Sequence, residues 1–379
     1  MFRTVNVLAV AATCFGLATG AGRAEEALLR EAIELPALAL FYSVRVPGLV
    51  LGVVKDGETA VVGFGEIADG TGKEPDGDTM MRIGSITKVF TGTSLASLVA
   101  DGTVGLADPV AKHLGWAEVP TRDGHAIRLI ELATHTSGLP REVEREPGPA
   151  DDPFATLTEE AYEKALAEDP LLFAPGTGGL YSNFAFDLLG IALGKAAGKP
   201  FADVQHERAI APAGLEDTVF ALRPGDEDRL MQGHGLEGEP LPNIPTQPVM
   251  AGASGLYSTP NDILKWLAWH MDRFAPEDAG TRVIDHAAYV FRDEIDPVLG
   301  LDESGHMDAM ALGWIVMTAE GSRPLILQKA GGLQGMFVYA AFSPARGVGA
   351  FVAINEFNFA AASQMATVVN DIIADLAQR

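Results

Sequence analysis

The sequence predicts an α+β fold, in which an antiparallel sheet flanked by helices is built from both ends of the chain and a mostly helical lobe is inserted between them. Short apolar runs typical of strands occur over residues 48–65 and again over residues 311–355. From about residue 108 to residue 307 the pattern is mostly helical and is interrupted by Pro and Gly. Strands at both ends with helices between them indicate this arrangement.

Residues 1–24 have the composition of a secretory signal peptide. Arg3 lies near the start, an apolar run covers residues 7–18, and small residues lead to Ala24, after which we place the cleavage site. The run is too short for a membrane span. Cys14 is the only cysteine, so the mature protein is expected to hold no disulfide, which suits an exported protein of a bacterial periplasm. A buried N-terminal helix and a lipoprotein attached through Cys14 are the alternatives.

Two helices are predicted in the first hundred residues. Apolar residues recur at helical spacing over residues 25–35, and Pro36 is expected to end that helix. A second helical pattern covers residues 85–101. A third helix, with apolar positions three and four apart, closes the chain over residues 361–377.

The predicted strands lie on both sides of the helical segment. Residues 48–54 and 59–65 flank Asp56 and Gly57, a pair suited to a two-residue type I′ hairpin. Short joins between the later runs imply antiparallel neighbours. These later apolar runs cover residues 311–318, 324–328, 336–342 and 347–355.

We interpret residues 25–379 as one domain, because the sequence contains no internal repeat and no linker long enough to separate autonomous units. An α/β lobe is predicted from residues 25–84 and 308–379. The helical lobe is predicted over residues 85–307.

Charge and composition exclude several classes of partner and cofactor. The chain has 27 basic and 51 acidic residues, a net charge of −24, which repels nucleic acid and anionic lipid. After signal cleavage no segment approaches membrane-spanning length. The eight histidines show no metal-ligand spacing, and neither a phosphate loop nor a dinucleotide fingerprint is present, so no metal and no cofactor are expected. The nucleophile elbow G-x-S-x-G is also missing.

Ser85 and Lys88, in RIGSITKVF, form the first candidate catalytic pair. A serine hydroxyl needs a base before it becomes a good nucleophile. Residues three apart share a helix face, so a helix beginning near Ser85 places Lys88 within reach. Lys88 can act as that base if burial and nearby cations favour its neutral form. An exposed first helical turn is the alternative interpretation.

Tyr181 and Asn183, in GLYSNFAF, form the second pair, and two residues apart in extended backbone they point the same way. Tyr181 can relay a proton to the leaving group, while Asn183 fixes Lys88 and the substrate amide. A loop whose side chains bond to backbone is the alternative. His135, in LATHTSGLPRE, is another candidate, although a structural histidine bonded to backbone is favoured over a catalytic one.

Lys329, Gly331 and Gly332, in LQKAGGLQG, form the third piece, which is weak alone because Lys55 and Gly57 match the same spacing. Lys329 would add positive charge beside Tyr181 and attract a substrate carboxylate. The two glycines leave room for a substrate against the strand. The backbone N–H groups of Ser85 and Gly332 are predicted to form an oxyanion hole.

These motifs resemble those of the class C β-lactamase-like serine hydrolases and their low-molecular-mass penicillin-binding relatives, closest to the AmpH-type D-alanyl-D-alanine carboxypeptidase/endopeptidases of bacterial periplasms. The resemblance covers most of the mature chain, from MRIGSITKVFTG to QKAGGLQGMFVYAAF. It implies a serine β-lactamase/D,D-peptidase-like fold. It also implies that Ser85 is acylated, Lys88 is its base, Tyr181 is the second proton carrier and Lys329 is the electrostatic anchor. Ala330 departs from the family pattern, which usually has a hydroxyl residue there to bind a substrate carboxylate.

Three functions are compatible with these residues. The first is a periplasmic serine D,D-peptidase, a penicillin-binding carboxypeptidase/endopeptidase that takes peptidoglycan peptides and β-lactams as substrates through a Ser85 acyl-enzyme. The second keeps the fold and nucleophile but assigns class C-like β-lactamase or carboxylesterase activity, of which Ala330 favours the esterase. The third is a non-catalytic cell-wall ligand sensor, against which the intact Ser85 and Lys88 count.

Overall fold

A computed structural model describes residues 6–272 and 274–378, and its main feature is an eight-stranded antiparallel sheet. The strand order is β2-β1-β14-β13-β12-β11-β10-β8, so the N-terminal strand β1 pairs with the C-terminal strand β14 near one edge of the sheet. In chain order the strands are β1 Gly48–Lys55, β2 Glu58–Gly65, β3 Met81–Arg82, β4 Thr121–Arg122, β5 His125–Ala126, β6 Gly179–Leu180, β7 Tyr257–Ser258, β8 Val290–Phe291, β9 Val298–Leu299, β10 Ala309–Met310, β11 Ile315–Met317, β12 Ile326–Leu333, β13 Met336–Ser343 and β14 Val348–Ile354.

Helices cover both faces of the sheet and fill the segment between its two halves. The α-helices are α1 Asn6–Val44, α2 Thr87–Ala100, α3 Ala111–Leu114, α4 Leu129–Ala133, α5 Glu159–Ala167, α6 Asn183–Ala197, α7 Phe201–Gln205, α8 Pro260–Met271, α9 Ala279–His286 and α10 Phe359–Leu376. A 3-10 turn, Gly84–Ile86, precedes α2.

The β1–β2 hairpin follows the prediction made from Asp56 and Gly57. Both residues have positive φ, 51° and 91°, as a type I′ turn requires. The paired strands then extend from Lys55 opposite Glu58 to Gly48 opposite Gly65. The predicted hairpin is confirmed.

Two predictions of local structure are wrong. The helix expected to end at Pro36 continues to Val44. Ile33 before the proline and Ala37 and Leu40 after it are buried along one face of α1. Packing of that face on β2 offsets the roughly 3 kcal/mol that a proline inside a helix costs.

The run over residues 311–318 was expected to be one strand, and it is a tight hairpin instead. Strands β10 and β11 pair antiparallel across it, and the N–H of Ala311 donates to the carbonyl of Trp314 at 2.9 Å. Gly313 has a φ of 83°, which favours glycine and lets the chain reverse.

Three hydrophobic clusters form the core, and they follow the layers of the fold. In the first, α1 and α10 pack on one face of the sheet. In the second, α8 and the start of α2 pack on the other face. The third lies among α2, α4 and α6. Helix α8 packs on the sheet and strand β8 extends it, although both belong to the middle of the chain. The predicted division into two lobes at residues 84 and 308 stays a prediction.

The predicted signal peptide begins with residues 1–5, which lie outside the described residues. Within the part of the chain that the structure describes, no helix combines the length and the apolar character that a bilayer crossing needs.

Candidate active site

Ser85 lies in the 3-10 turn before α2, at one end of a cavity of about 530 Å³. The cavity runs between strand β12 and the loops that precede α6. Its lining includes all the predicted site residues except the buried Lys88, together with several apolar side chains. These lining residues are Ser85, Tyr181, Asn183, Lys329, Gly331 and Gly332, with Phe337, Phe357 and Phe359 opposite.

Lys88 is fully buried one helical turn after Ser85, and its amine has three polar neighbours. Nζ lies 3.0 Å from Ser85 Oγ, 2.6 Å from Asn183 Oδ1 and 3.0 Å from the carbonyl oxygen of Ala253. Asn183 Oδ1 and the Ala253 carbonyl are acceptors only. A neutral amine can therefore donate its two hydrogens to them and turn its lone pair toward the serine hydroxyl.

The protein makes this neutral form accessible. Burial, with a smaller contribution from the nearby cation Arg141, lowers the pKa of Lys88 from its ordinary value to about 7. The negative charges of Asp187 and Glu142 raise the same pKa and limit the shift. Near neutral pH, Lys88 therefore exists in both protonation states, as a general base requires.

Asn183 and Asp187 lie one turn apart on α6, and both help to hold the Lys88 amine. Asn183 contacts it directly, and Asp187 acts through the backbone of Ala253. The hydroxyl of Ser182 caps α6 by accepting from the N–H of Ala185. Asp187 is buried, accepts from the Tyr162 hydroxyl at 2.6 Å and accepts from the Ala253 N–H at 2.9 Å. Because the carbonyl of Ala253 in turn accepts from Lys88, Asp187 fixes the backbone that holds the amine. Burial raises the pKa of Asp187 to about 7.

Tyr181 lies among three cationic groups. Lys329 Nζ is 4.7 Å from the centre of its ring, Lys88 Nζ is 5.1 Å away and the Arg141 guanidinium carbon is 4.8 Å away. Three cationic side chains therefore lie within about 5 Å of the Tyr181 ring. Burial lowers the pKa of Lys329, an effect that Tyr181 opposes and Lys88 reinforces.

His135 contacts the opposite side of Tyr181 and is buried. The two rings stack with centroids 4.5 Å apart. His135 Nδ1 accepts from the Ser182 N–H at 3.0 Å, and burial, together with Lys329 and Lys88, lowers its pKa well below the usual range. The imidazole is therefore neutral and supports the segment that carries Tyr181 and Asn183.

Strand β12 approaches the Ser85 turn backbone to backbone. A Cβ added to Gly331 would lie 2.2 Å from the Ile83 carbonyl oxygen and 2.9 Å from Ser85 N. One added to Gly84, whose φ is 49°, would lie 2.7 Å from Gly332 N. Glycine at both positions is what allows the strand and the nucleophile turn to come this close.

Three residues of the site, Asp187, Ala253 and Arg141, were not predicted from the sequence. Asp187 did carry a signal, because it is a lone acid in the otherwise apolar stretch NFAFDLLGIALG and lies one turn after Asn183. Ala253 acts through its backbone, which no side-chain pattern reveals. Arg141 reaches Tyr181 only because the loop after His135 folds beside α6, where the Asn183 N–H donates to the Arg141 carbonyl.

Asp187→Asn is expected to shift the acid limb of the acylation rate to lower pH. Asp187 contributes negative charge that raises the pKa of Lys88, so its removal lowers that pKa and leaves the amine neutral at lower pH. The rate of covalent labelling by a fluorescent penicillin between about pH 5 and pH 8 measures the midpoint. Glu144→Gln, a change at an exposed acid two residues beyond Glu142, is the control and should leave the midpoint in place. An upward or absent shift in Asp187→Asn would contradict the assignment.

The family of the chain follows from comparison with known proteins. The Beta-lactamase family model matches residues 26–374. The chain belongs to the beta-lactamase family. Among beta-lactamase family members, the D-alanyl-D-alanine-carboxypeptidase/endopeptidase AmpH of Escherichia coli K12 is 35% identical over 341 residues, which cover 89% of this chain and 86% of AmpH. The resemblance predicted from the motifs is confirmed, and so is a hydrolase family.

Solved structures of the beta-lactamase family share the fold. A beta-lactamase/D-alanine carboxypeptidase from Yersinia pestis, crystallised with citrate, has a TM-score of 0.81 and 33% identity, and the match covers 92% of this chain and 98% of that one. A class C beta-lactamase has a TM-score of 0.76 at 18% identity, covering 92% and 96%. The predicted α+β fold with its inserted helices is confirmed.

Proposed function

We propose that this protein is a serine D,D-peptidase that cleaves the D-alanyl-D-alanine bond of peptidoglycan peptides through an acyl-enzyme on Ser85 and binds penicillins covalently. One observation carries the proposal. The amine of Lys88, with a pKa of about 7, lies 3.0 Å from Ser85 Oγ while two fixed acceptors hold its hydrogens. The names of AmpH and of the Yersinia relative give the substrate class.

Acylation begins when neutral Lys88 takes the proton of the Ser85 hydroxyl. Ser85 Oγ then bonds to the carbonyl carbon of the penultimate D-alanine, and the carbonyl oxygen becomes an oxyanion. The backbone N–H groups of Ser85 and Gly332 are proposed to stabilise that oxygen, since strand and turn approach closely here. Preorganised donors of this kind typically contribute about 2.7–4 kcal/mol each to lowering the barrier.

Collapse of the tetrahedral intermediate breaks the C–N bond and expels D-alanine. Its amine takes a proton from Tyr181, whose hydroxyl is resupplied from the protonated Lys88. The cations around the Tyr181 ring stabilise the phenolate that exists between these transfers. Lys329, 3% exposed in the cavity, is proposed to hold the substrate carboxylate.

Deacylation reverses the proton path. Tyr181 first passes its proton back to neutral Lys88, and the resulting phenolate takes a proton from a water molecule. The water oxygen attacks the ester carbon, the C–O bond to Ser85 breaks, and protonated Lys88 gives its proton to Ser85 Oγ. Lys88 is then neutral and Tyr181 a phenol, as they were before the reaction. A β-lactam acylates Ser85 in the same way, but its opened ring keeps the amine attached beside the ester. The rate at which water reaches that ester separates a peptidase from a β-lactamase.

Incubation of the purified protein with muropeptides, nitrocefin and a short-chain ester in parallel tests the proposal. Release of D-alanine without appreciable nitrocefin turnover is the result that we expect. Turnover of nitrocefin or of the ester, with muropeptides left intact, would replace the D,D-peptidase by a class C-like β-lactamase or a carboxylesterase. A protein that binds muropeptides without any turnover would be a sensor.

Ala330 favours a carboxylesterase as the second candidate, because an ester substrate needs no carboxylate contact. Ala330 lines the cavity between Lys329 and Gly331, where a hydroxyl residue usually helps to bind the substrate carboxylate. Without that hydroxyl, Lys329 provides the positive charge but one hydrogen bond to the carboxylate is lost. Loss of a hydrogen bond to a charged group typically costs about 1.5–3 kcal/mol of binding.

Ala330→Thr is therefore expected to lower the KM for a peptide with a free C-terminal carboxylate by roughly tenfold, the lower end of that range. Parallel measurement of kcat and KM on this peptide and on a short-chain ester without a carboxylate checks the expectation. The ester is the control, and its kinetics should not improve. Equal effects on both substrates would mean that the hydroxyl acts through packing and not through the carboxylate.

Export to a bacterial periplasm completes the proposal, because peptidoglycan lies there. Its support is the pattern of residues 1–24, with Arg3, the apolar run and Ala24. Expression of the full chain in a bacterium, fractionation, and N-terminal sequencing of the periplasmic species test it. A mature N-terminus at Glu25 is expected, and an uncleaved chain in the cytosol would contradict export.

A further inference from the structure

Three metal-ligand side chains meet outside the active site, behind helix α2. His270 lies in the last turn of α8, and Asp285 and His286 end α9. His270 Nδ1 is 2.8 Å from His286 Nε2, and Asp285 Oδ2 is 3.7 Å from the first nitrogen and 4.0 Å from the second. These ligand atoms form the one group of three or more that the described residues bring within ion-binding distance.

The spacing of the three atoms suits a small divalent cation. The point equidistant from all three lies about 2.1 Å from each of them, as the separations of 2.8, 3.7 and 4.0 Å require. Zn²⁺ binds imidazole nitrogen and carboxylate oxygen at about 2.0–2.2 Å. The two nitrogens stand at hydrogen-bond distance, so a tetrahedral ion would separate them by about half an ångström.

The carboxylate of Asp285 is built into the core. It is fully buried, and Oδ2 accepts from the Thr93 hydroxyl at 3.0 Å and from Trp314 Nε1 at 3.3 Å. Its second oxygen, Oδ1, has no hydrogen-bond partner within the described part of the chain. Thr93 and Trp314 therefore fix the orientation of the carboxyl group through Oδ2, the oxygen nearest the imidazoles, while Oδ1 is a buried polar atom whose missing partner a bound ion could supply.

The two imidazoles approach each other edge to edge at this point. The side chain of His270 is fully buried, and its Nδ1 lies 2.8 Å from His286 Nε2. Imidazole nitrogen is a common ligand of Zn²⁺. The side chain of His286 is 16% exposed, which leaves an entry path from solvent.

We propose that His270, Asp285 and His286 form a Zn²⁺ site with three protein ligands and a fourth position for water on the partly exposed side of His286. The ion would tie α8 to the end of α9 and, through Thr93, to α2, the helix that carries Lys88. Nothing in the sequence spacing predicted this site, because fourteen residues separate His270 from the Asp285–His286 pair and only the folded chain brings the ends of α8 and α9 together.

Metal binding to the purified full chain tests the site. After treatment with EDTA, the chain is titrated with Co²⁺ and with Zn²⁺, and the metal bound per chain, the visible absorption of Co²⁺ and the Tm are recorded. One ion per chain, with a rise in Tm that grows with metal concentration, is expected. A chain that binds no stoichiometric metal would overturn the proposal and leave a hydrogen-bonded histidine pair in its place.

Two variants and a matched control locate the ion. Asp285→Asn keeps the size of the side chain and an oxygen for Thr93 and Trp314, and His286→Gln changes the ligand nearest solvent. Each is expected to raise the Kd at least tenfold. His306→Gln is the control, because His306 is 62% exposed and lies within 4.0 Å of the carboxylates of Asp302 and Asp308. Binding lost in His306→Gln but kept in the other two would assign the ion to the surface and overturn the proposal.

A folded state is confirmed for each variant by near-ultraviolet circular dichroism before titration. If Asp285→Asn does not fold, the comparison of His286→Gln with His306→Gln decides, since His286 is partly exposed. Covalent labelling of Ser85 by a penicillin is measured separately. The metal site and the proposed peptidase activity can therefore fail independently of each other.

Discussion

Ser85→Ala is expected to abolish covalent labelling by a fluorescent penicillin and to lower turnover of a D-alanyl-D-alanine peptide by on the order of 10⁶-fold. The alanine methyl cannot form the ester bond, and Lys88, whose amine lies 3.0 Å from the missing oxygen, then has no proton to accept. The groups of a catalytic unit depend on one another, so removing the nucleophile alone removes most of the rate enhancement of the whole unit. Gel fluorescence after incubation with the penicillin measures the labelling, and release of D-alanine measures the turnover.

Ser304→Ala is the matched control for the nucleophile. Ser304 lines the same cavity, and its hydroxyl donates to Gln328 Oε1 at 3.0 Å. No lysine amine lies within hydrogen-bond distance of that hydroxyl among the contacts of the described residues, so it should not be acylated and labelling should persist. Labelling retained in Ser85→Ala and lost in Ser304→Ala would place the nucleophile at the other end of the cavity.

Local patterns predicted the sheet well because its strands are short, apolar and joined by tight turns. Asp56 and Gly57 determine the first hairpin through their own backbone preferences, and the amphipathic pattern of residues 361–377 agrees with α10 to within two residues at its start. Such features depend on neighbours in sequence. The order of the strands depends on long-range pairing, which local patterns do not predict, since β1 pairs with β14 from the far end of the chain.

Tertiary packing decided what the patterns could not predict. Pro36 is a helix breaker by its own geometry, but the buried face of α1 continues past it. His270 and the Asp285–His286 pair have no metal-ligand spacing in the sequence. They meet only in the folded chain, where the end of α8 lies beside the end of α9. The contacts of Lys88 with Asn183 and Ala253 span 95 and 165 residues.

The site itself was predictable to the extent that its chemistry needs particular residue types. Ser85 and Lys88 were predicted together because a helix turn joins them, and Lys329 was predicted for its charge in an apolar strand. Glu142 and Asp187 were not predicted, although both set the pKa of Lys88. Their effect is a balance of burial and charge, and it exists only in the folded chain.

Lys88→Met is expected to slow acylation by about 10²–10⁴-fold, the usual cost of losing a general base. Methionine fills most of the buried volume, so the change removes the amine without leaving the large cavity that alanine would create. In the unchanged protein, the rate should fall as the pH drops through about 7, because Lys88 becomes protonated and can no longer accept the serine proton. The variant should lose that dependence along with the rate. Labelling reactions stopped after fixed times, at several pH values, measure the acylation rate and its pH dependence.

Lys329→Met is the matched control, because it removes a second buried amine from the same site. Lys329 is 3% exposed and lies beside Tyr181, but Lys88 is the amine in contact with Ser85 Oγ. The two roles predict different substrate dependence. Lys88→Met should slow acylation by a penicillin and by a short-chain ester alike, since both need a deprotonated serine. Lys329→Met should slow the penicillin, whose carboxylate it binds, far more than the uncharged ester. An unchanged acylation rate in Lys88→Met would remove Lys88 from the mechanism, and identical substrate profiles for the two variants would remove the distinction between base and anchor.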